Sequence, residues 1–244
     1  MADFDTHGLP ISSSSAEAAE RYREGVTLML AGWPGAAEAL DAAVAADPDF
    51  PLAHAARARL HAIRAEAALA RTCIAAAQAK VGDSGDERER SHVNVLARTI
   101  LGPPRDSIPV ALEHIERWPR DAVIFSLPMG AFGLFAFSGM RNHDQARVDL
   151  CERYAASFAA DDWWFLTHHG WSLAENREVA RGRGMLERAY ALRRENANTV
   201  HALAHAMFEG GDGEAARRCA VPSTKCSARP NATSCFAPTE TSWT

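Results

Sequence analysis

Histidines recur at matching points of successive helical segments, and imidazole is the side chain best suited to bind ligands, relay protons or hold a metal near neutral pH. They are His54, His92, His168 and His201, while Phe125 takes the corresponding place in the fourth pair. Repetition aligns such positions along one side of an array. With Arg57, Trp163, Trp164 and Trp171 beside them, they would line a groove suited to a peptide or a small acidic ligand. The plainer reading is that each ring packs against the adjacent helix and satisfies a buried carbonyl. Residue types alone leave both readings open.

A sharper pattern lies near the end of the array. His201 and His205 stand four apart and Glu209 four further, so a helix sets all three along one drifting stripe. Two imidazoles at that spacing share a divalent cation when a third ligand arrives, and His168 or His169 would have to supply it. The glutamate that follows the first histidine of a zinc hydrolase is replaced here by Ala202. The expectation is therefore no metal, no other cofactor and no assigned catalytic residue, with His201, His205 and Glu209 named only as the set that would hold a cation. Phosphate loops, nucleophile elbows and dinucleotide fingerprints are absent from the sequence.

The elements that would position these residues are helices joined in pairs. Gly35-Ala-Ala-Glu-Ala-Leu-Asp-Ala-Ala-Val-Ala-Ala leads to Asp47-Pro-Asp-Phe, where one alanine-rich helix stops and another begins at Pro51. Trp118-Pro119-Arg120-Asp121 echoes that stop roughly two repeat lengths of about 34 residues later. Spacing predicts helices over 15–31, 35–47, 51–63, 65–80, 86–101, 106–117, 142–158, 161–176, 178–195 and 198–209. The apolar stretch Ala122–Gly139 carries Pro128 and three glycines, and is expected as a buried mid-array helix rather than a membrane span.

Read this way, the fold class is all-α: a right-handed, tetratricopeptide-like superhelix of about five and a half helical pairs over residues 15–219. Residues 1–14 read as a flexible leader. The segment 220–244, rich in Ser, Thr and Pro, reads as disordered, as if the chain were truncated or frameshifted after about Cys219. Its missing cap would leave an apolar end open to self-association. Cys73 and Cys151 sit among apolar residues as core thiols, whereas Cys219, Cys226 and Cys235 match no zinc-ligand spacing.

Three segments, Ala53-His-Ala-Ala-Arg-Ala, Asp86-Glu-Arg-Glu-Arg-Ser-His-Val and Val200-His-Ala-Leu-Ala-His-Ala-Met-Phe-Glu, resemble the tetratricopeptide repeat protein 38 family in order and approximate spacing. The resemblance spans about residues 10 to 218 and matches the N-terminal half or so of that family. It implies an α-helical superhelix without an established reaction.

Composition bounds the function. A net charge of -5 and arginines interleaved with glutamates give nucleic-acid binding little electrostatic support. The N-terminus has acidic residues and no apolar run of the signal-peptide kind, so a cytoplasmic location is expected. The sequence thus points to a protein-interaction scaffold that binds an unidentified protein or peptide segment in a concave groove. The alternative is a small-ligand or metal protein, with an enzyme among its forms, built on the histidines.

Overall fold

The computed structural model describes residues 3–82 and 86–218. The fold is all-α apart from one short ribbon. The expectations for the tail from Ala220, for Cys219, Cys226 and Cys235, and for the open C-terminal end lie outside the described residues.

Helices come in antiparallel pairs. The first pair is α1 (Ala16–Ala31) with α2 (Ala36–Ala46), the second α3 (Pro51–Ile63) with α4 (Ala67–Val81), and the third α5 (Glu87–Leu101) with α6 (Pro104–Arg117). Two single-turn helices follow, α7 (Ala122–Phe125) and α8 (Leu134–Phe137), ahead of α9 (His143–Tyr154). Next come α10 (Trp163–Glu175) with α11 (Val179–Leu192), then α12 (Ala197–Glu209) and a last helical turn over 213–218.

The starts of these helices are written in polar caps. Ser15, Asp86, Asp121, Asp162 and Asn196 each accept a hydrogen bond from the backbone amide three residues on, satisfying a donor that the first turn cannot use. Gly32 ends α1 in the left-handed region at φ 63°, which glycine adopts without a Cβ penalty.

Two expectations are corrected. The apolar stretch after Asp121 is not one helix, because Pro128 offers no amide donor and Gly130 and Gly139 turn the chain at φ 75° and 80°. Ala122–Phe125 is nevertheless fully buried, and among the described residues no helix is long and apolar enough to cross a membrane. The supposed flexible leader is packed instead: β1 (Asp3–Phe4) pairs antiparallel with β2 (Pro10–Ile11), and Leu9 and Ile11 are buried. Its hairpin loop is closed by Asp5, whose carboxylate accepts from the amides of His7 and Leu9 at 2.9 Å each.

The first helix of each pair is the more buried. These helices touch in order, α1 to α3, α3 to α5, α5 to α7 and α10 to α12, with Phe125 of α7 meeting Trp164 and Phe165 of α10. The series then closes on itself. Helix α12 contacts α1, and the side-chain amide of Asn198 donates to the Leu30 carbonyl at 2.9 Å. One continuous apolar core runs from the ribbon to α10, and a smaller one lies among Trp171, Leu186, Leu203 and Ala206.

Close approach of α10 and α11 depends on two facing glycines. A Cβ on Gly182 would meet the Gly170 carbonyl oxygen at 2.5 Å and the Ala174 amide nitrogen at 2.8 Å, both backbone atoms that cannot swing away. Gly182→Ala is expected to destabilise the protein by about 1–3 kcal/mol, read as a lower urea midpoint with an unchanged slope. Gly184, which meets nothing within 4 Å, is the control and should tolerate alanine.

Candidate functional site

The expected groove residues do not gather into one pocket. His54 turns back on its own repeat, its Nε2 donating to the Pro48 carbonyl at 2.9 Å. Arg57 pairs with Asp41 of α2 and sits 3.3 Å from His61 Nε2. Phe125 and Trp164 are wholly buried in an aromatic cluster with Phe158 and Phe165, so they form core and not a binding wall. His168 lies half-buried against the Trp164 ring at 4.8 Å, and burial pulls its pKa down to about 4. The ring is therefore neutral near pH 7.

Of the expected residues, Trp171, His201 and His205 do come together, the two imidazoles 5.9 Å apart. Both rings lie tilted beside Trp171, at 5.9 and 5.2 Å, and His205 Nδ1 lies 3.0 Å from Glu175, while His201 and Glu209 are exposed. These contacts are those of an interhelix seam. Among the described residues the one group whose metal-ligand atoms converge is a different set: His92, His114 and Asp121.

That set is centred on an anion. Trp118-Pro119-Arg120 stops α6, and the next residue, Asp121, caps α7 with its backbone turned inward. Its Oδ2 accepts from Arg88 Nη1 at 2.9 Å, His92 Nδ1 at 2.8 Å and His114 Nε2 at 3.2 Å. All four side chains are buried. Burial alone would raise the Asp121 pKa, but His92 and His114 outweigh it and hold the carboxyl well below its usual range. Burial lowers the His114 pKa despite Asp121, which fixes the neutral ring with Nε2–H toward the carboxylate and Nδ1 accepting from the Ser91 hydroxyl at 2.8 Å.

This geometry decides between chemistries. In a metal site the ligands surround a vacant centre, whereas here three donors aim at one carboxylate oxygen and Arg88 already supplies the positive charge. A cation would have to displace a buried guanidinium. Ser91, His114 and Asp121 do line up as nucleophile, base and orienting acid. Acyl transfer also needs donors for the developing oxyanion, and the amides around Ser91 are spent inside α5.

Above the cluster lies the ribbon, spanning the point where α1, α5, α7 and α10 begin. Arg88 Nη2 donates to the Pro10 carbonyl at 2.5 Å, Glu89 accepts from the Ser12 amide at 2.8 Å, and Arg23 of α1 donates to the Phe4 carbonyl at 2.9 Å. Asp47 takes the amide of Ser14 and the hydroxyl of Ser13, each at 2.8 Å. His7 reaches Asp162 at 3.3 Å between the Phe158 and Trp164 rings. Burial raises the pKa of both Asp5 and Glu89. Beneath the ribbon about 10 Å³ remains beside Asp5, His7, Tyr22 and Asp121, room for about one water, and a more open space of about 240 Å³ lies along Leu9, Pro10, Arg88 and Trp118.

Sequence reasoning named His92 alone of the buried cluster. Arg88 and Glu89 lay in the Asp86–Val93 segment, and Asp121 in the Trp118–Asp121 stop, each noticed as pattern and not as chemistry. His114 gave no signal, since a second-helix histidine reads as part of a solvated face. Arg59 was missed too: burial lowers its pKa to about 10, and no carboxylate pairs with it among the described residues.

Asp121→Asn removes the charge that compensates Arg88 and should cost about 3–5 kcal/mol of stability, measured by urea unfolding. His168 governs a separate pH dependence. Its unfolded ring titrates near 6.5 and its folded ring near 4, so its contribution is whole above 6.5 and is lost as pH falls toward 4. His168→Gln should flatten the stability profile in that window by at most about 1.4 kcal/mol per pH unit. No protein-family model matches this chain, and the curated proteins searched contain no match to it.

Proposed function

We propose that the chain is a protein-interaction scaffold that holds a peptide segment against the inner face of its first helices. The hairpins are tetratricopeptide-type repeats on this reading, in keeping with the resemblance to the tetratricopeptide repeat protein 38 family. The protein acts in the cytoplasm on a protein or peptide partner, not on nucleic acid.

The observation that carries the proposal is the arm Leu9–Ser14. It lies at the mouth of the inner helices and is gripped through its main chain by Arg88, Glu89 and Asp47. Main-chain contacts give affinity to an extended segment whatever its sequence, and alternate side chains give selectivity. Leu9 and Ile11 alternate in this way and both are buried. The grip is preorganised, because Glu89 and Arg88 sit on a capped helix held by the Asp121 cluster.

Support for the repeat reading comes from small residues at helix crossings. A Cβ on Gly25 would strike the Leu40 side chain at 2.6 Å, and Gly170 faces Gly182 in the same way four pairs on. Histidine-based enzyme or metal chemistry, the alternative, rests on His92 and His114 around Asp121 and on the His201–His205 pair, and at the first of these Arg88 already supplies the positive charge.

Selection of a displayed library of random peptides on the full chain tests the proposal. Enriched peptides should bind saturably and weaken by about tenfold with Arg23→Ala or Asp162→Asn, changes that leave the Asp121 cluster untouched. Peptides that bind both variants as tightly as the natural protein, or no enrichment at all, would overturn it.

A further inference from the structure

We infer that the peptide-holding mouth is self-occupied: residues 3–14 act as an internal competitor that leaves before a partner segment of similar chemistry enters. The inference rests on the scaffold reading and adds the regulation of that same site. It starts from the way the ribbon is attached.

A covalent tether of one residue, Ser15, joins the arm to α1, and beyond it nearly every contact is of a kind that another chain could reproduce. The contacts fall into three sets. Main-chain groups are taken by Arg23, Arg88, Glu89 and Asp47. Two aliphatic side chains, Leu9 and Ile11, are buried. One imidazole, His7, fills a seat made by Asp162, Phe158 and Trp164, where an aromatic or cationic ring meets an acid and two aromatic faces.

The ribbon's internal support is confined to its strand pairing and to the loop that Asp5 closes. Each strand is two residues long, and a two-stranded hairpin is marginal by itself in water, so its shape is owed to the mouth that holds it. Phe4 remains 49 % exposed, so the outer strand covers little of the apolar surface the hairpin offers. A segment held mostly by its seat is one that a competitor can replace.

The occupant that fits is accordingly a turn-and-strand segment: a tight loop carrying an aromatic or cationic side chain at its tip, followed two and four residues later by aliphatic side chains. Such a partner pays a tax set by the fraction of molecules whose ribbon has left. Releasing the ribbon should raise its apparent affinity without touching the seat.

Ile11→Asp in the full chain is the releasing variant, because it places a charge where the arm is buried. The probe is a synthetic peptide of residues 1–15. It should bind the Ile11→Asp protein saturably and about tenfold or more tighter than the natural protein, and its own His7→Ala version should bind more weakly. If the variant melts cooperatively yet does not bind the peptide, self-occupancy is wrong. Equal binding to both proteins refutes the competitor while leaving the scaffold intact. Should Ile11→Asp fail to fold, a cleavage site inserted between Ser13 and Ser14 allows the arm to be cut in the folded protein. Release of the cut arm by excess peptide then supports the inference, and retention against the chase overturns it.

Discussion

A carboxylate shut away from water needs donors on every side, and the placement of Asp121 sets the terms for the middle of this protein. Burying an uncompensated charge is costly enough that the group would otherwise neutralise or the site would open. Arg88, His92 and His114 meet the demand together, from two different helices, and they do so only if α5, α6 and the start of α7 hold one relative arrangement. Such a cluster adds less to net stability than apolar packing of equal volume would. What it fixes is position: the guanidinium that neutralises Asp121 also presents its second nitrogen to the Pro10 carbonyl.

The same constraint accounts for the polarity of the mouth. Helix N-termini carry unused amides and polar caps, here one serine and three aspartates, and α1, α5, α7 and α10 begin at one end of the ring of inner helices. An apolar plug there would bury those groups unpaired. A stretch of peptide brings carbonyls and amides in the right alternation, with Leu9 and Ile11 covering the apolar remainder. Glu89 is itself buried, which raises its pKa, and its Oε1 accepts from the Ser12 amide.

Helical pairing was legible because it is local. Alanine-rich periodicity, Asp-Pro stops and serine or aspartate caps place helix ends within a few residues, as at Pro51–Ile63 and Glu87–Leu101. Two features depended on partners distant in sequence and left no local trace. Two-residue strands cannot show a period, so the ribbon read as a loose leader although Arg88 and Glu89 receive it from 78 and 77 positions away. The broken helix after Asp121 looked continuous by hydropathy, and Pro128 together with the turns at Gly130 and Gly139 shows why it cannot be.

The histidines make the remaining point. Equivalent repeat positions share a direction on their own helix, but they share an environment only where successive pairs stack with constant geometry. Here the fourth pair is two single turns and not a full helix, and α12 comes round to α1, so each position meets a different neighbour. His54 finds a carbonyl, His92 a buried anion, His168 the face of an indole, and His201 a tryptophan at a seam. An imidazole suits all four because it offers a donor, an acceptor and an aromatic face in one ring. Recurrence of one residue type along successive helices is thus explained by that versatility, with no shared ligand required.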